Sequence, residues 1–164
     1  MRILIAAVGR LKAGPEKELF ETYRRRLGWP ITVREVEARN MAPGELKGRE
    51  AELLLGALDG KDSGRRPGRP VSGRRVLVAL DERGEAVSSA EFARRIGAWR
   101  DQGVEEIAFA IGGADGLDES LRGRADWLLA LGRLTWPHLL ARALLAEQLY
   151  RAQQILAGHP YHRA

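Results

Sequence analysis

The chain of 164 residues contains no cysteine. That absence excludes a disulfide framework, a thiolate zinc site and a cysteine nucleophile, and it agrees with a reducing compartment. Long apolar runs are missing too. The longest near the start, Ile3 to Val8, has six residues, too short for a secretory hydrophobic region and far too short for a membrane span. A cytoplasmic chain with no membrane partner is expected. Aromatics make up only 6% and histidine only three residues, so few side chains are available for stacking or metal ligation. No His-Glu-x-x-His pattern occurs, and no metal is expected.

What is present is a globular composition. An apolar content of 45% in one domain-sized chain is enough to close a core without covalent staples. The 27 basic against 22 acidic residues leave a net charge of +5, a weak pointer to a polyanionic partner.

Strand-like and helix-like periodicities alternate along the chain. Arg2 to Val8 reads as a strand. Residues 15–27 follow as a helix with Pro15 in its first turn, 31–37 as a strand and 44–58 as a helix. Residues 75–80 form a third strand. Ser88-Ser89-Ala90-Glu91 then forms a capping box that opens a helix to about Asp101. Residues 105–111 are a fourth strand, 117–124 a short helix, 126–131 a fifth strand, and 138–157 a long helix with Pro137 before it and Gly158 after it. This alternation predicts one α/β domain with a mainly parallel sheet and helices on both faces. One segment departs from it. Residues 61–75 hold six basic residues, one acid, three Gly and two Pro, which predicts a basic surface loop.

Three regions hold candidate chemistry. Ile111-Gly112-Gly113-Ala114-Asp115-Gly116 follows a strand and precedes a helix, where glycines permit close backbone approach to a ligand. The segment has neither a P-loop ending nor dinucleotide-fold spacing, and a purely structural turn also accounts for it. Leu80-Asp81-Glu82-Arg83-Gly84 sits at the end of another strand, and the two loops together line one crevice if their strands are neighbours. The last third collects His138, His159, His162, Trp136, Tyr150, Tyr161, Arg142, Arg151 and Arg163. Glu147 and Arg151 are four apart and share a helix face, as an ordinary ion pair would. The terminal His-Pro-Tyr-His-Arg is aromatic and cationic, a chemistry suited to a base and a phosphate.

Read together, these segments resemble the RlmH family. The resemblance is carried by Val8-Gly9-Arg10-Leu11-Lys12, by Leu80-Asp81 with Gly84 and Ser88-Ser89, and by Ile111-Gly112-Gly113 running to Gly116-Leu117. It continues through Leu134-Thr135-Trp136-Pro137-His138, Glu147-Gln148-Leu149-Tyr150-Arg151-Ala152 and His159-Pro160-Tyr161-His162-Arg163. It spans nearly the whole chain. Its implications are a SPOUT-class fold with a C-terminal trefoil knot, a homodimer, and use of S-adenosyl-L-methionine to methylate N3 of a pseudouridine in large-subunit (23S) ribosomal RNA on the ribosome. The knot runs against the usual rules of chain connection.

By the same resemblance, the cofactor-binding residues are Leu80, Gly112 and the run Leu131, Gly132, Arg133, Leu134, Thr135 and Trp136, acting largely through backbone groups. Leu131-Gly132-Arg133-Leu134 departs from the serine and small residues more usual there. The catalytic candidates are Arg163 with Arg151 for charge stabilisation, Tyr161 for contact with the base, and Glu147 or His138 as proton acceptor. Two other functions stand beside this one: a SPOUT enzyme acting on a different RNA such as a transfer RNA, and a non-catalytic ribosome-binding protein.

Overall fold

The structure, a computed structural model, describes residues 1–39, 41–42, 44–60 and 73–161. Most of the basic segment at 61–75, and the candidates His162 and Arg163, therefore lie outside the described residues.

Ten elements alternate: β1 (Arg2–Val8), α1 (Pro15–Arg26), β2 (Ile31–Val36), α2 (Leu46–Leu58), β3 (Arg75–Ala86), α3 (Ser89–Asp101), β4 (Glu106–Ile111), α4 (Glu119–Arg122), β5 (Trp127–Ala130) and α5 (His138–Leu156). The strands form one sheet in the order β2-β1-β4-β3-β5, and every pairing is parallel. Neighbouring parallel strands need a crossover, and the helices supply it.

Alternation along β1 explains why both faces are covered. Ile3, Ile5 and Ala7 point into a core shared with Phe20 of α1, Phe92 and Ile96 of α3, and Leu145 and Leu149 of α5. Leu4, Ala6 and Val8 point into a second core with Leu54 and Leu58 of α2 and Leu121 of α4. A strand buried on both faces must be apolar, as β1 and β4 are after their first residues, Arg2 and Glu106, which pair with each other at 2.7 Å. Helices begin and end where their residues dictate. Ser88 accepts from the Glu91 backbone while Glu91 reaches back to Ser88, closing the expected capping box on α3. Gly158 follows α5 at φ +67°, a left-handed conformation that a glycine takes without Cβ strain.

Two expectations are corrected. The third strand does not stop at Leu80: Leu80 and Glu85 both pair with Leu129, so residues 81–84 bulge out and β3 resumes to Ala86. Gly84 allows this, since a Cβ there would lie 2.7 Å from the backbone of Leu128 and Leu129. The helix read at 117–124 shrinks to one turn, because Asp118 caps it and Leu117 instead fills the core.

Candidate functional site

In a parallel sheet all strands point one way, and loops at their carboxyl ends gather on one edge. Here β3, β4 and β5 are adjacent or share a neighbour, so the loops after them meet. They enclose a cleft of about 230 Å³ lined by Leu80–Arg83, Ile111–Gly116, Leu131, Gly132, Leu134–Trp136 and His138.

The glycine loop forms the tight wall. Gly116 N–H donates to the Gly113 carbonyl at 3.1 Å, and the two residues bridge. A Cβ on Gly112 would stand 2.8 Å from the Gly116 carbonyl carbon, so the turn closes only on glycine. The second wall, the 81–84 bulge, is braced to the first by Arg122. Its guanidinium donates to the Leu117 carbonyl at 2.7 Å and pairs with Asp81 at 3.4 Å. The third wall is the run from Leu131 to Trp136, closed on itself by the indole N–H of Trp136 donating to the Leu131 carbonyl at 2.9 Å. Leu134 and Trp136 are exposed there, at 71% and 38%, an apolar rim open to an occupant.

Of the residues expected to hold the cofactor, Leu80, Gly112, Leu131, Gly132, Leu134, Thr135 and Trp136 line this cleft. Arg133 is exposed and is not among its lining residues.

The catalytic candidates divide into two places. His138, first residue of α5, lines the cleft. Burial and the neighbouring Arg142 cation hold its pKa below the usual imidazole value, so it is neutral near pH 7 and free to accept a proton. Its Nε2 lies 3.2 Å from where a Cβ on Gly9 would be, and Gly9 has φ +83°. A glycine is therefore what lets the imidazole pack against β1.

Arg142, one turn further along α5, is fully buried. It donates to the carbonyls of Val8 and Gly9 and pairs with Glu35 at 2.8 Å. Glu35 also accepts the Leu11 backbone N–H at 2.7 Å. This residue was named in the sequence only as part of the C-terminal cluster. A lone charge inside Leu139-Leu140-Ala141-Arg142-Ala143-Leu144-Leu145 is the available signal, because such a charge is buried only with partners; here the two terminal nitrogens have them and Nε has none among the described residues.

The second place is the far half of α5. Glu147 accepts from Arg151 at 2.6 Å, from the Gln148 amide at 2.6 Å and from the Tyr161 hydroxyl at 3.2 Å. The Arg151 guanidinium also stacks over the Tyr161 ring, 4.9 Å from its centroid. Tyr161 packs on Tyr150 at 4.8 Å, and Tyr150 on Tyr23 of α1 at 6.1 Å. Burial, the Tyr23 hydroxyl and the Glu147 charge push the Tyr161 phenol up to about 12, so it remains a hydrogen-bond donor at any working pH. Glu147 and Arg151 thus share a face as their spacing predicts, and the structure adds Tyr161 to them, a contact the spacing does not predict.

They are not brought to His138. Nine residues on a helix correspond to about 13 Å of rise and about half a turn of rotation, so the two groups sit on opposite sides of α5. Arg122, Lys47, Glu82 and Arg83 also line the cleft, and nothing in their sequence setting marks them as ligands. An arginine in a chain this rich in arginine gives no distinguishing pattern.

Comparison with known proteins bears on this arrangement. Residues 1–162 match a family model described as "Predicted SPOUT methyltransferase". The chain is 60% identical over 165 residues to a protein of Rhodospirillum centenum named Ribosomal RNA large subunit methyltransferase H, with 100% of both chains covered. It is 55% identical to a protein of the same name from Paramagnetospirillum magneticum, over 99% of each. Among solved structures, a probable methylase family protein from Haemophilus influenzae superposes with a TM-score of 0.55 at 14% identity, covering 99% of this chain and 70% of that one.

Proposed function

The chain belongs to the SPOUT methyltransferase family, and from that premise we propose that it transfers a methyl group from S-adenosyl-L-methionine to N3 of a pseudouridine in large-subunit ribosomal RNA, on the assembled ribosome. The observation that carries this reading is the cleft, in which seven of the eight expected cofactor-binding residues converge. The full-length likeness to relatives named as ribosomal RNA large subunit methyltransferases favours a ribosomal target over a transfer RNA. The trefoil knot, the homodimer and the cytoplasmic location belong to the same proposal.

The residues present suit this cofactor. Leu80, Ile111, Leu131 and Leu134 offer apolar surface for an adenine, and the glycine-walled turn lets backbone groups approach a ribose or an amino acid. Gly132, at φ +103°, gives the 131–136 wall its turn. When bound, the cofactor supplies an electrophilic methyl on a sulfonium, in a displacement that needs no metal. The protein's share is alignment, charge stabilisation and proton removal.

The N3–H of a uracil-type ring is weakly acidic, and its loss puts negative charge on the flanking carbonyl oxygens. Cations placed there stabilise that charge. Arg151, held by Glu147, and Arg163 of the tail are assigned this role, and Tyr161 the contact with the base. Three donors already occupy Glu147, so it serves better to orient Arg151 and Tyr161 than to take a proton. His138 lines the cleft with a neutral imidazole and is the better acceptor. In a homodimer the tail cluster of one subunit completes the cleft of the other, which reconciles their separation along α5.

The test is methyl transfer from labelled cofactor to unmethylated 70S ribosomes and to naked ribosomal RNA, with mass spectrometry of the nucleosides. A methylated pseudouridine formed only on ribosomes is the expected result. Transfer to neither with cofactor still bound points to another RNA, and absence of cofactor binding points to a non-catalytic ribosome-binding protein.

A further inference from the structure

Glu50 lies on the buried face of α2, among residues that otherwise pack apolar side chains against the sheet. It is only 8% exposed, and no cation pairs with it among the described residues. A carboxylate in that setting is costly unless something uses it. Its two oxygens lie 2.9 Å from where a Cβ on Gly113 would stand, and Val8 of β1 fills the same space at 3.2 Å. The carboxylate therefore packs directly against Gly113 of the glycine wall of the cleft.

We infer that Glu50 is a positioning residue whose carboxylate holds the Gly112–Gly116 turn in its ligand-binding shape and so sets the affinity of the cleft for S-adenosyl-L-methionine. This rests on the cofactor reading above. The turn is closed by its own return from Gly113 to Gly116 and packed at Gly113 by the Glu50 carboxylate. Removing the support frees the backbone groups that must be fixed before a ligand arrives, and binding then bears the cost of ordering them.

The charged state matters because a carboxylate accepts from backbone N–H groups better than a carboxylic acid does. Burial pushes the Glu50 carboxyl up and the Asp115 charge adds to this, while the Gly113 backbone pulls it down. The charge that acts on it is Asp115 on the glycine loop; Lys47, one turn earlier on α2, lines the cleft, and Val8 of β1, which packs at the same point, is apolar. Protonation of Glu50 is thus expected to loosen the turn, and affinity falls as pH drops through the raised pKa.

The experiment is equilibrium titration of S-adenosyl-L-methionine by calorimetry into the full chain, at a series of pH values from mildly alkaline to acid. Wild type, Glu50→Gln, Glu50→Ala and Gly113→Ala are compared, each checked by thermal melting. Expected is about tenfold weaker binding for Glu50→Ala at pH 7.5. For Glu50→Gln, part of the wild-type loss of affinity toward acid pH disappears; the part due to His138 remains. Gly113→Ala should weaken binding strongly in the wild-type background and less in the Glu50→Ala background, where the colliding carboxylate is gone.

Wild-type affinity and an unchanged pH profile in Glu50→Gln overturn the inference, whether or not Glu50→Ala folds. Additive effects of Gly113→Ala and Glu50→Ala overturn it as well. Failure of the wild-type protein itself to bind overturns the cofactor reading and this inference together, and so is distinguishable from failure of the inference alone.

Discussion

A methyl group on Gly112 would meet the backbone of Gly116 at 2.8 Å, and backbone cannot swing aside as a side chain can. Gly112→Ala is therefore expected to lose about 1–3 kcal/mol of stability, read by denaturant titration, and to abolish measurable cofactor binding. Gly48 is the contrasting case, since it lies exposed inside α2 with open space around it. There an added methyl only restricts the unfolded chain, and Gly48→Ala should stabilise the protein by about 0.5–1 kcal/mol. Arg142 is the residue on which most depends. Removing its side chain takes the cation from Glu35, which keeps the Leu11 N–H, and the guanidinium donor from the Val8 and Gly9 carbonyls, and Arg142→Ala is expected to cost about 3–5 kcal/mol. His138 adds a pH dependence. Its folded pKa lies below the unfolded value of 6.5, so the unfolded chain binds the extra proton first; stability is full above about pH 6.5 and declines as pH falls toward the folded pKa. A stability series compared between wild type and His138→Asn should show that slope only in wild type.

At the scale of the elements, α5 places His138 in the cleft at its start and Glu147 and Arg151 in its far half, where Tyr161 of the following segment packs on them. Replacing Glu147 with Gln removes the charge that orients Arg151 and receives the Tyr161 hydroxyl. Methyl transfer is expected to fall at least about tenfold, with the calorimetric affinity for cofactor unchanged. Loss of cofactor affinity in that variant would show that the two halves of α5 are not separate in function. The ordering of strands and helices was legible because each element declares its periodicity locally, and the capping box at Ser88 and the glycine after α5 mark their ends. The continuation of β3 to Ala86 was not legible. It depends on Gly84 pressing against the backbone of Leu128 and Leu129, a contact between segments more than forty residues apart. The same holds for the brace from Arg122 to Asp81 and for Glu50 against Gly113. Of the site, the glycine turn and the Glu147 to Arg151 pair could be read from spacing, whereas the cleft residues Leu131, Gly132 and Leu134 to Trp136 were reached through family resemblance. Their chemistry lies largely in backbone groups, which side-chain identity does not reveal.

At the scale of the molecule, one chain presents a cleft on one side of α5 and a tyrosine-arginine cluster on the other. A second copy resolves that geometry if the cleft of each subunit is served by the cluster of its partner. The proposed composite site makes a quantitative prediction for mixed dimers. One variant, Gly112→Ala, spoils the cleft and leaves the cluster intact; the other, Glu147→Gln, does the reverse. Each alone should be inactive or nearly so. After unfolding and refolding an equal mixture, about half the dimers are mixed, and each mixed dimer has one site with both parts intact, so about a quarter of wild-type methyl transfer returns. If instead each subunit's cleft works with its own cluster, every chain in the mixture carries a defect and no activity returns. Size-exclusion chromatography with light scattering on the same sample supplies the complementary readout, since a monomer under assay conditions would remove the composite site regardless of activity.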